Sequence, residues 1–191
     1  MTYELIVIDN SKEYFGSAAE ALNPGGAKAK GEYIMFVHQD VQLCSNTWLE
    51  DAEKLLSDFS DLGLAGVAGM RDNKISKIFK AGNCPEENMS GFIYCGNDKK
   101  PWGYLMSGPM EVQTLDELLM IIPARVYANL KYDEITCKGW HLYGIDYALS
   151  IRNMGVKAYV LPLPVWHMSY GALNEDYFRV LRSIIAKHDK E

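Results

Sequence analysis

The chain has 191 residues, with 25 acidic against 19 basic for a formal net charge of −6, and 48% of its residues are hydrophobic. That balance describes one folded domain with a sizeable core, excludes a disordered chain, and makes nucleic acid a poor default partner. No apolar run reaches the roughly 18–20 residues of a membrane helix, and the opening MTYELIVIDNS lacks the basic lead and long apolar centre of a secretory leader. Cys44, Cys84, Cys95 and Cys137 form no CxxC pair, so reduced thiols in a cytoplasmic protein are expected.

In chain order, Tyr3–Ile8 is β-rich and apolar and stops at Asp9-Asn10-Ser11, which predicts a buried strand with polar groups at its carboxyl end. A short helix over Ser17–Leu22 is expected to break at Asn23-Pro24-Gly25-Gly26. Glu32–Val37 predicts a second strand, ending in His38-Gln39-Asp40. Thr47 and Glu50 fit a capping box for a helix whose apolar stripe is Leu49, Ala52, Leu55, Leu56 and Phe59. Leu64–Ala68 reads as a third strand, and residues 70–110 as loops and short hairpins. Glu111–Ile122 returns to strand character, and Pro123 starts a short helix through Leu130. Tyr143–Met154 predicts a helix stopped by Gly155, and Val156–Val165 a strand. The last helix is capped by Asn174, with Glu175 and Asp176 in its first turn and Lys187, His188 and Lys190 in its last, as the helix dipole favours. The alternation of strand and helix predicts an α/β fold, an open mixed but mostly parallel sheet flanked by helices.

Three polar clusters follow strands or open helices. Asp9-Asn10 suits either a turn or acceptors for a base imide and a ribose hydroxyl. His38 and Asp40, at i and i+2 in extended chain, point the same way and suit either a divalent cation on a diphosphate or an exposed loop. The third cluster joins Tyr143–Asp146 to the strand ending at His167; Asp146 lies in the first turn of its helix, where a carboxylate is favoured without any catalytic role. His167, after a strand, is either a metal ligand or a satisfied core histidine. His38, Asp40 and His167 together also admit a metal-dependent hydrolase, although no water-activating motif accompanies them.

Residues 23–41 (NPGGAKAKGEYIMFVHQDV) resemble the central block of family 2 glycosyltransferases, in which an A-x-G-E-Y-I segment leads into a strand ending in a D-x-D metal motif. Tyr3–Ser11 is similar to the strand before that block, and Tyr143–Arg152 to the Y-G-E-D-x-x-L-x-x-R helix. Gly155–Lys157 with Pro162–His167 resembles the G-x-K…P…H strand that follows, while residues 70–110 stay unmatched. The His-Gln-Asp-Val variant is similar to a bacterial branch of the superfamily. The resemblance implies a GT-A-like fold over a single domain, 1–191, without the family's usual first strand. It implies a metal-dependent, inverting glycosyltransferase that moves a sugar from a nucleotide-sugar, a UDP-sugar above all, to a hydroxyl of a glycan, lipid-linked sugar or other acceptor. Asp9, Asn10 and His38 would contact the nucleotide, Asp40 and His167 would hold manganese or magnesium, and Asp146 would be the general base. The location implied is cytoplasmic, including the membrane periphery. His38 in place of the first D-x-D aspartate, and Ile145 in place of the acid before Asp146, depart from the pattern. They point to the alternative of an inactive nucleotide- or carbohydrate-binding module on the same fold.

Overall fold

The computed structural model of the protein describes residues 2–71, 88–170 and 173–188. In chain order these form α1 (Ala18–Gly26), β1 (Tyr33–Val37), β2 (Val41–Leu43), α2 (Trp48–Leu56), β3 (Leu62–Gly66) and β4 (Ala68–Met70). Next come β5 (Met89–Cys95), β6 (Lys100–Tyr104), β7 (Met110–Val112), β8 (Thr114–Leu115), β9 (Leu119–Pro123) and α3 (Ala124–Asn129). The chain closes with α4 (Tyr143–Ile151), β10 (Lys157–Val160), β11 (Val165–His167) and α5 (Glu175–His188). One sheet has the order β1-β9-β3-β10-β7; the other runs β2-β11-β5-β4-β8, with β6 on β5.

The layers follow from period-2 alternation in the first sheet. Ile34 and Phe36 of β1, Met120 and Ile122 of β9, and Ala158 and Val160 of β10 face a core shared with α1, α3, α4 and α5. The intervening Leu119 and Ile121, with Tyr159, face a second core under Trp48, Ala52 and Leu56 of α2. Helices therefore cover both faces, and β3 and β9 are buried along their whole length. The α/β class is as expected. The pairing is more antiparallel than the element order implied: β10 on β3 and β11 on β5 are parallel, whereas β9 runs antiparallel to both β1 and β3.

Other differences have local causes. Residues 3–8 join no sheet ladder; Tyr3, Leu5 and Val7 are each more than 70% exposed. The segment is held instead by Ile8 over Gly25 and by the Lys30 amide, which donates to Glu4 Oε1 at 2.6 Å. High β propensity makes a strand only where a partner edge meets it. α1 runs through the expected break to Gly26, because Asn23 is anchored from outside the helix. Its Oδ1 accepts from the Tyr132 amide at 3.0 Å and the Tyr127 hydroxyl at 3.1 Å, so tertiary bonds override the turn signal. Thr47 does not cap α2; its hydroxyl donates to Asp51 Oδ2 at 2.8 Å. The apolar run 111–122 is three strands, and Val156–Val165 splits into β10 and β11, which belong to different sheets. Gly155 ends its helical turn in the left-handed region (φ 72°), and Asn174 Oδ1 accepts from the Tyr177 amide at 3.0 Å, both as expected. Part of the 70–110 reading, with Cys84, lies outside the described residues; the rest contains the β5–β6 hairpin. Among the described residues, no helix is long and apolar enough to cross a membrane, and Cys44, Cys95 and Cys137 are free thiols.

Candidate metal centre and its cavity

β1 delivers His38 to the mouth of a large cavity. The His38 amide continues toward β9 by donating to Leu118 O at 3.0 Å, and the Val41 amide then turns back onto His38 O at 3.2 Å. β2 pairs antiparallel with β11, placing Val41 opposite His167, and the Met168 amide donates to Asp40 O at 2.9 Å. That register brings two residues from the first quarter of the chain to one 127 positions beyond Asp40. His38, Asp40 and His167 each offer a ligand atom, and these atoms lie within 4.8 Å of one another. His167 Nε2 is 3.3 Å from Asp40 Oδ1 and 3.1 Å from the Ser169 hydroxyl. His38 Nε2 is 3.0 Å from the Tyr143 hydroxyl. Burial lowers the His38 pKa against the opposing pull of Asp116, which favours the neutral imidazole that a metal requires. Two imidazoles and a carboxylate with remaining positions open fit a divalent transition metal, manganese among them, better than magnesium, which prefers oxygen ligands throughout.

The cavity measures about 2060 Å³ and is lined by residues 2–11, by β1 and by the segment Trp140–Tyr143, as well as by this cluster. Asp9 and Asn10 are on its wall. Asp9 accepts from the Ser11 amide at 2.8 Å, and Asn10 closes its own loop with both ends of its amide on Phe15, at 2.9 and 3.1 Å. Both therefore carry turn bonds at the place where nucleotide contacts were expected.

Asp146 is elsewhere. It is buried in the first turn of α4, does not line the cavity, and meets the last turn of α5. Lys187 Nζ lies 2.8 Å from each of its oxygens, and His188 Nε2 is 2.8 Å from Oδ1.

Asp116 and Glu117 do line the cavity, and sequence reasoning passed over them. The available signal was two adjacent acids inside an apolar stretch taken as one strand, which is a poor pattern for a buried strand. Glu117 Oε1 accepts from the Leu142 amide at 2.7 Å, and Leu142 stands in the left-handed region (φ 66°) at the start of α4. Burial, reinforced by the charge of Asp116, pushes the Glu117 carboxyl from 4.5 up to about 8. The raised value means the fold holds a proton that the unfolded chain releases. Stability should therefore fall as pH rises between about 4.5 and 8. Urea denaturation across that window should show the fall in the wild type and a flatter profile in Glu117→Gln.

The sequence profile of a Glycosyltransferase like family matches residues 1–178. The chain belongs to this family. No curated protein matches it. Among solved structures, it is similar to a crystal structure of GalNAc-T7 with UDP, GalNAc and Mn2+, at 12% identity and a TM-score of 0.58. That match covers 90% of this chain and 34% of the other, so the glycosyltransferase-like chain spans about a third of its neighbour. At that identity the likeness establishes the GT-A fold.

Proposed function

We propose that the protein is a metal-dependent glycosyltransferase that moves a sugar from a nucleotide-sugar, with UDP-sugars the first donors to consider, to a hydroxyl of a glycan or lipid-linked sugar with inversion. The observation that carries this reading is the convergence of His38, Asp40 and His167 within 4.8 Å at the wall of the cavity, on a glycosyltransferase-like fold. The neighbour's crystal contents, UDP, GalNAc and Mn2+, support the same donor and metal class here. Free thiols fit action in the cytoplasm, including the membrane periphery where lipid-linked acceptors are presented.

His38, Asp40 and His167 would hold the cation, which when bound stabilises negative charge growing on the departing diphosphate. Tyr143 orients His38 through its hydroxyl, as second partners of metal-binding imidazoles do. Asp9 and Asn10 form a polar turn on the same wall, and the exposed carboxylate of Asp9 would meet a base or ribose there. A single displacement at the anomeric carbon inverts it, and requires a group that takes the acceptor's proton.

A second reading, binding without turnover, is favoured by Asp146 being held by Lys187 and His188. Titration calorimetry with UDP, GDP and dTDP, with and without manganese, tests the proposal. Binding of one nucleotide is expected with manganese and is lost on adding EDTA. Failure of every nucleotide to bind under either condition would sink it. Metal-dependent donor hydrolysis would rule out the second reading.

A further inference from the structure

We propose that Glu117 is the general base that removes the acceptor's proton, an inference that rests on the glycosyltransferase reading and assigns a role the family resemblance gave to Asp146. The first argument is access. Glu117 lines the cavity that contains His38, Asp40 and His167, whereas Asp146 does not and has its oxygens bonded to Lys187 and His188.

The second argument is placement. Glu117 is fixed at the amino end of α4 by the Leu142 amide, and the next residue, Tyr143, bonds His38. Base and metal cluster are thus tied to adjacent residues of one turn. The helix packs this close because residue 144 is glycine: a Cβ there would lie 3.1 Å from Glu117 Cβ, from Leu115 O and from Met120 Sδ. The glycine of the Tyr143-Gly144-Ile145-Asp146 motif therefore makes room for the Glu117 side chain.

The third argument is capacity. The Glu117 carboxyl accepts from the Leu142 amide and from its own backbone amide, partners that position it without supplying a counter-charge. Its raised pKa lies near neutral, where acid–base groups work best. Asp116, its exposed neighbour, has Oδ1 bonded to the Leu118 amide at 2.9 Å and is the nearest rival.

The step balances simply. The acceptor oxygen forms a bond to the anomeric carbon as the bond from that carbon to the diphosphate oxygen breaks. The nucleoside diphosphate leaves with the electron pair, and the acceptor's proton goes to Glu117. Water serves as the acceptor in a hydrolysis assay.

Glu117→Gln separates base from brace, because the amide oxygen of glutamine still accepts from Leu142 while the basic carboxylate is gone. The full-length protein is assayed for manganese-dependent hydrolysis of a panel of UDP-, GDP- and dTDP-hexoses, alongside nucleoside diphosphate binding by calorimetry. Glu117→Gln should bind nucleotide and manganese as the wild type does and lose roughly 10²–10⁴-fold in turnover. Asp116→Asn and Asp146→Asn should lose far less. Added formate should restore part of the rate in Glu117→Ala, which a purely structural role would not allow. Turnover retained in Glu117→Gln, or lost in Asp146→Asn with nucleotide binding intact, overturns the assignment while sparing the glycosyltransferase reading. Nucleotide binding by the wild type without any hydrolysis also overturns it. Absence of both overturns the two together.

Discussion

Asp40→Ala should abolish the manganese-dependent part of nucleotide binding. Asp40 supplies the one carboxylate in the His38–Asp40–His167 cluster. Removing it leaves two imidazoles, a set with no charge to offset that of a divalent ion. Changing even an outer partner of a metal ligand costs about 10–100-fold in affinity, so loss of the ligand itself should exceed about 100-fold. His167→Ala should act in the same direction, and it also removes the neighbour 3.3 Å from Asp40. Calorimetry with manganese alone, then with UDP in its presence, reads both steps. Unchanged manganese affinity in Asp40→Ala would remove the cluster from the mechanism.

Asp146→Ala should have its main effect on stability. Asp146 is 2% exposed and joins Lys187 and His188 of α5 to the first turn of α4. Deleting a buried partner leaves uncompensated charge, which costs about 3–5 kcal/mol when every partner is dry. Lys187 is 31% exposed, so water recovers part of its hydration and about 2–3 kcal/mol is expected. Asp133 also bonds Lys187, at 2.9 Å. Burial alone would raise Asp133, but the bonds from Lys187, Thr136 and Ile135 outweigh it and hold the carboxyl well below the usual carboxylate range. The Asp133 contribution is therefore present above about pH 4 and is lost as pH falls through the lower folded value. Burial likewise opposes charge on Lys187, yet its two carboxylate partners raise its pKa, so that share persists until strongly alkaline pH. Urea denaturation of Asp146→Ala and Lys187→Ala, singly and together, measures the coupling. Additive effects would mean that the ion pair is not formed in solution.

The outlines of the site were legible because strands that end in polar residues are a local pattern. Glu32–Val37 followed by His38-Gln39-Asp40 marked the strand and its candidate ligands together. The motif order also carried the family. The roles were harder to read. Asp146 fits a motif helix and a first-turn preference equally well, and only the packing of α5 separates them. Glu117 sat inside an apolar stretch, and the space beside its Cβ is left by Gly144 of a different element.

By itself the sequence determined the α/β class, the α4 and α5 helices, the left-handed stop at Gly155 and the His38–Asp40 pair, because each depends on side-chain period, capping or turn chemistry within a few residues. Tertiary structure alone decided that residues 3–8 lie outside the ladders, that α1 continues past Pro24, and that His167 closes on Asp40. It also decided that Asp146 is bound to α5 while Glu117 faces the cavity. The physical reason is the same in each case: a strand needs a partner edge, a helix break yields to anchoring bonds, and the environment of a carboxylate is set by residues distant in the chain.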